Sequence, residues 1–325
     1  MVHKPGFSPA FSFPAAHGNT ETCMNMNIPT TALASNALAS RAMVVSLSIA
    51  QWSGRRLDRD VTNEVNRSKS AASDAGRYNK AIVKPDALKP IAKLVGEIRN
   101  EFNGRTLPWM DDGKRIMAAQ AFMAHAKWLA DQRNKFEKEV ERFLRDYPQH
   151  VQDAQRHLGT MFRQEDYPDA DEITMKFSFI TKVMPVPTAG DFRANLAAEQ
   201  VHSIRQDIER DVQEAARAAV RNVYERIVGA VEHMHERMVN YKPATRPGET
   251  TAGVFRDSLV ENIRDLVKVM PSLNITGDPE LDALADRLAR LSRHDAETLR
   301  NSDSARENIA DEAQRILDDI SAFMK

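Results

Sequence analysis

Val201, Val212, Val223 and Met234 recur every eleven residues, and Ile208, Ala219, Ala230 and Tyr241 repeat in the same rhythm. Eleven residues over three turns correspond to about 3.67 residues per turn, so both sets stay on one side of a nearly straight or slightly right-handed α-helix. At about 1.5 Å per residue, a helix from about 195 to 241 runs roughly 65 to 70 Å, more than one compact domain can surround. Its apolar stripe therefore needs a mate of similar length. Residues 111–147 offer one, with Ile116, Ala119, Met123, Ala126, Leu129, Phe136, Val140 and Phe143 near a single stripe before Pro148. A proline ends or kinks a helix because it lacks the amide donor, so the helix is expected to stop there. The two helices are expected to pair as an antiparallel, coiled-coil-like hairpin.

Two segments break the helical pattern. "MVVSLSIAQW" alternates Val45, Leu47 and Ile49 on one side, and "ITMKFSFITKVMPVP" places Ile173, Met175, Phe177 and Phe179 on one face. Period-two alternation predicts strands near 43–52 and 173–184. A lone strand leaves its backbone groups unpaired, so the two are expected to pair as a small β element. Between them, residues 58–79 are helix-compatible, and Leu88, Ile91, Val95, Ile98 and Phe102 predict an amphipathic helix ending at Asn103-Gly104. "NYKPATRPGETTAG" reads as a linker. Beyond it come a helix ending at Pro271, a second opened by Asp278-Pro279, and a third opened by Ser304 with Glu307. The expected fold is thus mostly α: an N-terminal extension over 1–40, disordered or loosely attached, then a helical body with its β element over 41–245, then a C-terminal helical subdomain over 251–325.

A 325-residue chain with 42% hydrophobic residues can fill a sizeable core. The most apolar early stretch carries Arg41 and several Ser and Asn, so no membrane span is expected. A single cysteine, Cys23, excludes an intrachain disulfide and suits the cytoplasm. Lys and Arg total 45 against 46 Asp and Glu. That balance conceals polarity: residues 51–84 carry eight cations and four acids, whereas residues 278–325 carry seven cations and twelve acids. Such asymmetry suits contact between the two ends or between copies of the chain, as in a homo-oligomer.

The candidate chemistry is sparse. His233 and His235 lie about 200° apart around a helix and cannot chelate one ion, and the place of a second histidine in a His-Glu-x-x-His motif holds Val239. No metal and no cofactor are expected, and no catalytic residues can be picked out by spacing. Trp52, Trp109 and Trp128 read as core or interface anchors. Gly54-Arg55-Arg56 follows a strand without a Walker or Gly-x-Gly-x-x-Gly pattern, so it reads as a turn bearing two forked cations. The "NRSKSAASDAGRYNK" segment adds Arg67, Lys69, Arg77, Lys80 and the aromatic Tyr78. These seven residues, Arg55, Arg56, Arg67, Lys69, Arg77, Tyr78 and Lys80, form the candidate contact surface. It suits an acidic protein surface, or single-stranded nucleic acid that combines backbone charge with stacking.

"VSLSIAQWSGRRLDRDVTNEVNRSKSAASDAGRYNK", with "TLPWMDDG", "MPVPTAGDFR" and "NITGDPEL", resembles a family of uncharacterised proteins from tailed phages and prophages, domain of unknown function 3150. The resemblance covers residues from about Met43 to Lys325. It implies phage origin and a genomic association with MoxR-type AAA+ ATPases and von Willebrand A-like, cobalt-chelatase-labelled proteins. It brings no activity or site. The expected function is that of a non-enzymatic adaptor, assembly factor or inhibitor acting through protein contacts in the host cytoplasm. The alternative is a phage factor binding single-stranded nucleic acid in recombination or replication.

Overall fold

The computed structural model describes residues 31–110, 113–194, 196–244, 246 and 249–323. In chain order these form α1 (Ser35–Arg41), β1 (Ala42–Ala50), β2 (Arg55–Leu57), α2 (Arg59–Ser68), β3 (Asn79–Ala81), α3 (Pro85–Gly104), β4 (Leu107–Trp109) and β5 (Lys114–Ala118). They continue through α4 (Phe122–Leu158), α5 (Ala170–Thr174), β6 (Ser178–Pro185), α6 (Ala198–Asn240), α7 (Ser258–Leu273), α8 (Pro279–Leu291), α9 (Ala296–Asn301) and α10 (Asp303–Phe323). The fold is mostly α, with a four-stranded sheet in the order β4-β5-β1-β6 and a two-stranded sheet of β2 and β3. The chain divides into two compact units, one holding Leu47–Glu101 and Ala126–Thr181, the other 31–46, Phe102–His125 and 182–323.

In the second unit the eleven-residue stripe becomes the spine of the core. Val212, Ala216, Ala219, Val220, Val223, Ile227, Val231 and Met234 of α6 are all buried. Their mate is α10, which contributes Ile309, Ala313, Ile316 and Ile320, with α7 and β4 covering the rest. The alanines allow close approach of the neighbouring helix, and each buried Ile or Val contributes about 1.5–3 kcal/mol relative to exposure. This corrects the expected pairing, because residues 126–158 of α4 belong to the first unit and it is α10 that packs on α6. The C-terminal helices α7 to α10 share one hydrophobic core with α6. The expected linker is closed by an antiparallel bridge between Lys242 and Ala252; its Thr245, Pro247 and Gly248 lie outside the described residues.

The first thirty residues of the expected extension, with Cys23, also lie outside the described residues. Its last part is packed: Leu33 and Leu38 are 1% and 0% exposed, and the Ser35 amide donates to Glu209 at 3.0 Å. Burial of two leucines overrides the small, polar composition that suggested a loose tail.

The expected helix from 111 starts instead as a strand. Met110 and Gly113 both adopt positive φ, 52° and 76°, and turn the chain so that Trp109 faces Lys114 and Leu107 faces Ile116 in an antiparallel pair. β5 then pairs with β1 from Ala42↔Ala118 to Val45↔Arg115. Asp111 and Asp112, expected at a helix start, lie outside the described residues. Helix α4 begins at Phe122 and runs through Pro148 to Leu158. Packing just before the proline outweighs the missing amide: Trp52 sits edge-on to Phe143 and Tyr147 at 6.0 Å each, and the Tyr147 hydroxyl donates to the Pro168 carbonyl at 3.1 Å. Pro271 is likewise tolerated within α7, two residues before its end.

The expected strand from 173 begins only at Ser178. Asp169 accepts the Glu172 amide at 2.8 Å and caps α5, so Ile173 is a buried helical residue while Met175 is 76% exposed. The expected helix over 58–79 covers only Arg59–Ser68, with a turn and β3 taking the remainder. Helix α3 follows its apolar spacing, with Ile91, Val95, Ile98 and Phe102 buried and Gly104 at its end.

Candidate interaction site

All seven candidate residues lie in a small platform formed by β2, α2, the turn after it and β3; Lys80 alone among them is buried. Gly54 starts this platform with φ +62°, and its carbonyl accepts from the Ile82 and Val83 amides at 2.9 and 3.4 Å. β2 then pairs with β3 so that Arg55 faces Ala81, Arg56 faces Lys80 and Leu57 faces Asn79. Asp58 caps α2 by accepting from the Val61 amide at 3.1 Å, and its own amide donates to the Tyr78 carbonyl at 2.9 Å. Thr62 closes the same joint, donating to the Asp58 carbonyl at 2.6 Å and accepting from the Tyr78 amide at 3.0 Å.

Helix α2 thus buries two polar residues, Thr62 and Asn66, and leaves Val65 47% exposed. That inversion of the usual pattern has a cause. Buried Asn66 donates to the carbonyls of Ser73 and Gly76 at 3.0 and 3.3 Å, and its own carbonyl accepts from Ala71 at 2.9 Å. The polar, small-residue turn has little apolar area of its own, so side-chain hydrogen bonds to its backbone give it shape.

Lys80 lies within this platform, 3% exposed. Its ammonium donates to the Met161 carbonyl at 2.8 Å and pairs with Asp166 Oδ2 at 2.7 Å and Asp58 Oδ2 at 2.9 Å. Three donors meet three acceptors. Burial alone would lower the lysine pKa, but the hydrogen bonds it donates to Asp166 and Asp58 outweigh that and hold the ammonium above its usual range. The same ammonium, followed by the Val61 amide, holds the Asp58 carboxyl below the usual carboxylate range. Arg56 reaches Asp166 Oδ1 at 3.0 Å and the Glu165 carbonyl at 3.2 Å, and Arg163 pairs with Asp60.

The candidate residues therefore separate into two groups. Lys80 is buried within a closed ion cage, a correction to its expected surface place, and Arg56 braces that cage. Arg55, Arg67, Lys69 and Arg77 are exposed, as is Tyr78 at 40%. Their neighbour Leu57 is also 38% exposed. Sequence reasoning missed both carboxylates. Asp58 carried the signature of a helix cap, whereas nothing near Asp166 signals a partner 86 positions upstream.

Trp109 and Trp128 are buried, as expected of anchors, and Trp52 joins the aromatic group beside α4. His233 and Glu236 are exposed on α6. Among the described residues, no group of three or more His, Cys, Asp or Glu side chains is placed to hold a metal ion, and no helix is long and apolar enough to cross a membrane.

The family described as "Protein of unknown function (DUF3150)" matches residues 40–239, more than half of the chain. That span contains the whole platform, the ion cage and all but the last residue of α6, and it ends before α7. Neither a curated protein nor a solved structure matches the chain.

Proposed function

The chain belongs to the DUF3150 family, and we propose that it is a non-enzymatic interaction protein that docks an acidic protein surface on the platform of β2, α2 and β3. The carrying observation is the division of labour among the cations. Lys80 is spent inside and Arg56, about half exposed, is tied to the same Asp166 from outside, and together with Asp58 they fix the backbone. Arg55, Arg67, Lys69 and Arg77 stand outside on the backbone so fixed, beside the exposed rings and methyls of Tyr78 and Leu57. A cationic surface on a fixed backbone loses little loop entropy on docking, and its charges steer an acidic partner toward it.

The resemblance in sequence extends this proposal to a phage-encoded adaptor, assembly factor or inhibitor in the host cytoplasm, with a MoxR-type AAA+ ATPase as the partner class. The test compares tagged wild-type chain with Arg55→Glu/Arg67→Glu/Arg77→Glu, captured from cells expressing the native gene neighbourhood. Wild type is expected to retain a defined acidic partner that the variant loses, with both chains melting at the same temperature. Equal recovery by both chains overturns the proposal. So does the absence of any partner together with the absence of self-association in light scattering.

A second reading rests on Tyr78. Tyr78 is 40% exposed and follows the exposed Arg77 in the chain, so a base stacked on its ring would bring its phosphates toward a cation. Single-stranded DNA would then bind at low salt and dissociate steeply as salt rises, because counterions are released from phosphates. A gel shift showing no complex at low salt removes this reading.

A further inference from the structure

A second basic feature of the first unit is a shallow, open depression lined by none of the seven candidate residues. Lys84, Asp153, Arg156 and His157 line a pocket of about 310 Å³. The lining comes from two elements with fixed ends. Lys84 immediately precedes α3; its carbonyl accepts the Ala87 amide at 2.9 Å, and the preceding Ile82 and Val83 amides bond to Gly54. Arg156 and His157 occupy the last turn of α4, just before Gly159, whose positive φ ends the helix.

Within the pocket the charges are sorted. Arg156 pairs with Asp153, and Gln149 donates to the same carboxylate oxygen, Oδ1, at 3.2 Å. These two contacts orient the guanidinium and leave Oδ2 as the available acceptor. Lys84 contributes a second permanent cation and His157 a third nitrogen group. The lining thus offers convergent donors for an anion and one carboxylate oxygen for a neighbouring hydroxyl or amine. Arg presents a planar fork that matches phosphate, and Lys acts as a mobile point charge on it. Because the depression is open to solvent, it suits the phosphate end of a small molecule whose remainder stays in water.

We infer that this pocket binds the phosphate group of a small phosphorylated molecule, held by Lys84, Arg156 and His157, with Asp153 Oδ2 accepting from a hydroxyl or amine of the same ligand. None of its lining residues is among the seven candidate residues of the docking platform. Its residues are exposed or half-exposed, so substitutions there leave the core intact.

Calorimetric titration of the full chain at low salt, with a nucleoside monophosphate, inorganic phosphate and a short oligonucleotide lacking terminal phosphates, tests the inference. The monophosphate is expected to bind more tightly than inorganic phosphate. Lys84→Met/Arg156→Gln is expected to weaken it by about tenfold or more. Asp153→Asn should bring the monophosphate closer to inorganic phosphate, and thermal melting should match wild type for both variants. No heat from wild type with any phosphate compound up to about 10 mM, a range in which even weak specific sites fill, overturns the inference. So does binding that the double variant leaves unchanged. Binding of the oligonucleotide alone also overturns it and assigns the pocket to a nucleic-acid backbone.

Discussion

Lys80 Nζ sits 2.9 Å from Asp58 Oδ2, with lysine and aspartate side chains only 2% and 3% exposed, and Asp166 closes the other side at 2.7 Å. A buried ion pair is weak evidence for net stabilisation, because desolvating both charges offsets much of the attraction. Removing one partner is different, since it leaves the other charge buried and unpaired. Lys80→Met leaves Asp58 buried without a cation and Asp166 with Arg56 alone, and is expected to cost about 3–5 kcal/mol in urea unfolding. A loss below about 1 kcal/mol, the level of an exposed pair, would show that the cage opens to water in solution.

The pH dependence of that loss follows from the two shifts. Lys80 is raised in the folded state, so its contribution is complete below the unfolded lysine value of about 10.4 and is lost as pH climbs through the higher folded value. Asp58 is lowered, so its contribution is complete above about 3.9 and is lost as pH falls through the lower folded value. The stability difference between wild type and Lys80→Met should therefore be flat from about pH 5 to pH 9 and shrink on both sides. Urea midpoints measured across that range check it. A difference that changes steeply around neutral pH would assign the cage to other groups.

The helical character of the chain was legible because burial writes a period into sequence. The eleven-residue recurrence located α6 to within a few residues, and the spacing from Leu88 to Phe102 located α3. What covers α6 was not legible. Any long apolar stripe can mate with another, and the choice of α10 depends on how the chain folds back after Pro271. Local conflicts hid other features: Pro148 reads as a stop until the aromatic packing around Tyr147 is seen, and β5 reads as helix until the positive φ of Met110 and Gly113 is known. At the candidate site, composition marked a basic region but could not separate Lys80 from Arg77. Their burial depends on which strand face is covered and on an aspartate far along the chain.

Gly54 tests the rigidity of the platform. Its φ of +62° is one that side chains disfavour, and a Cβ there would lie 2.6 Å from Val83 Cγ2 and 2.8 Å from Leu88 Cδ1. Gly54→Ala combines backbone strain with steric overlap and is expected to cost about 1–3 kcal/mol. The two-stranded sheet should suffer most, because Ile82 and Val83 bond to the Gly54 carbonyl. Hydrogen exchange at those two amides is the measurement: faster exchange is expected there, and exchange rates equal to wild type would mean the turn relaxes without disturbing β3.

In the second unit, acid sensitivity should come from His125, which is 2% exposed and packs 5.6 Å from the Phe102 ring. Burial, followed by the positive charge of Arg105, lowers its pKa from 6.5 to about 4. The unfolded chain takes up a proton below about 6.5 while the folded chain refuses it until about 4, so the fold loses stability as pH falls across that window. At about 1.36 kcal/mol for each unit of difference, the loss reaches roughly 2–3 kcal/mol. His125→Phe keeps an aromatic ring but cannot titrate. Whatever the variant costs at pH 7, its unfolding free energy should fall less than that of wild type between pH 7 and pH 4.5, by about the same 2–3 kcal/mol. Parallel curves for the two proteins would show that His125 accepts its proton as readily inside the fold as outside it.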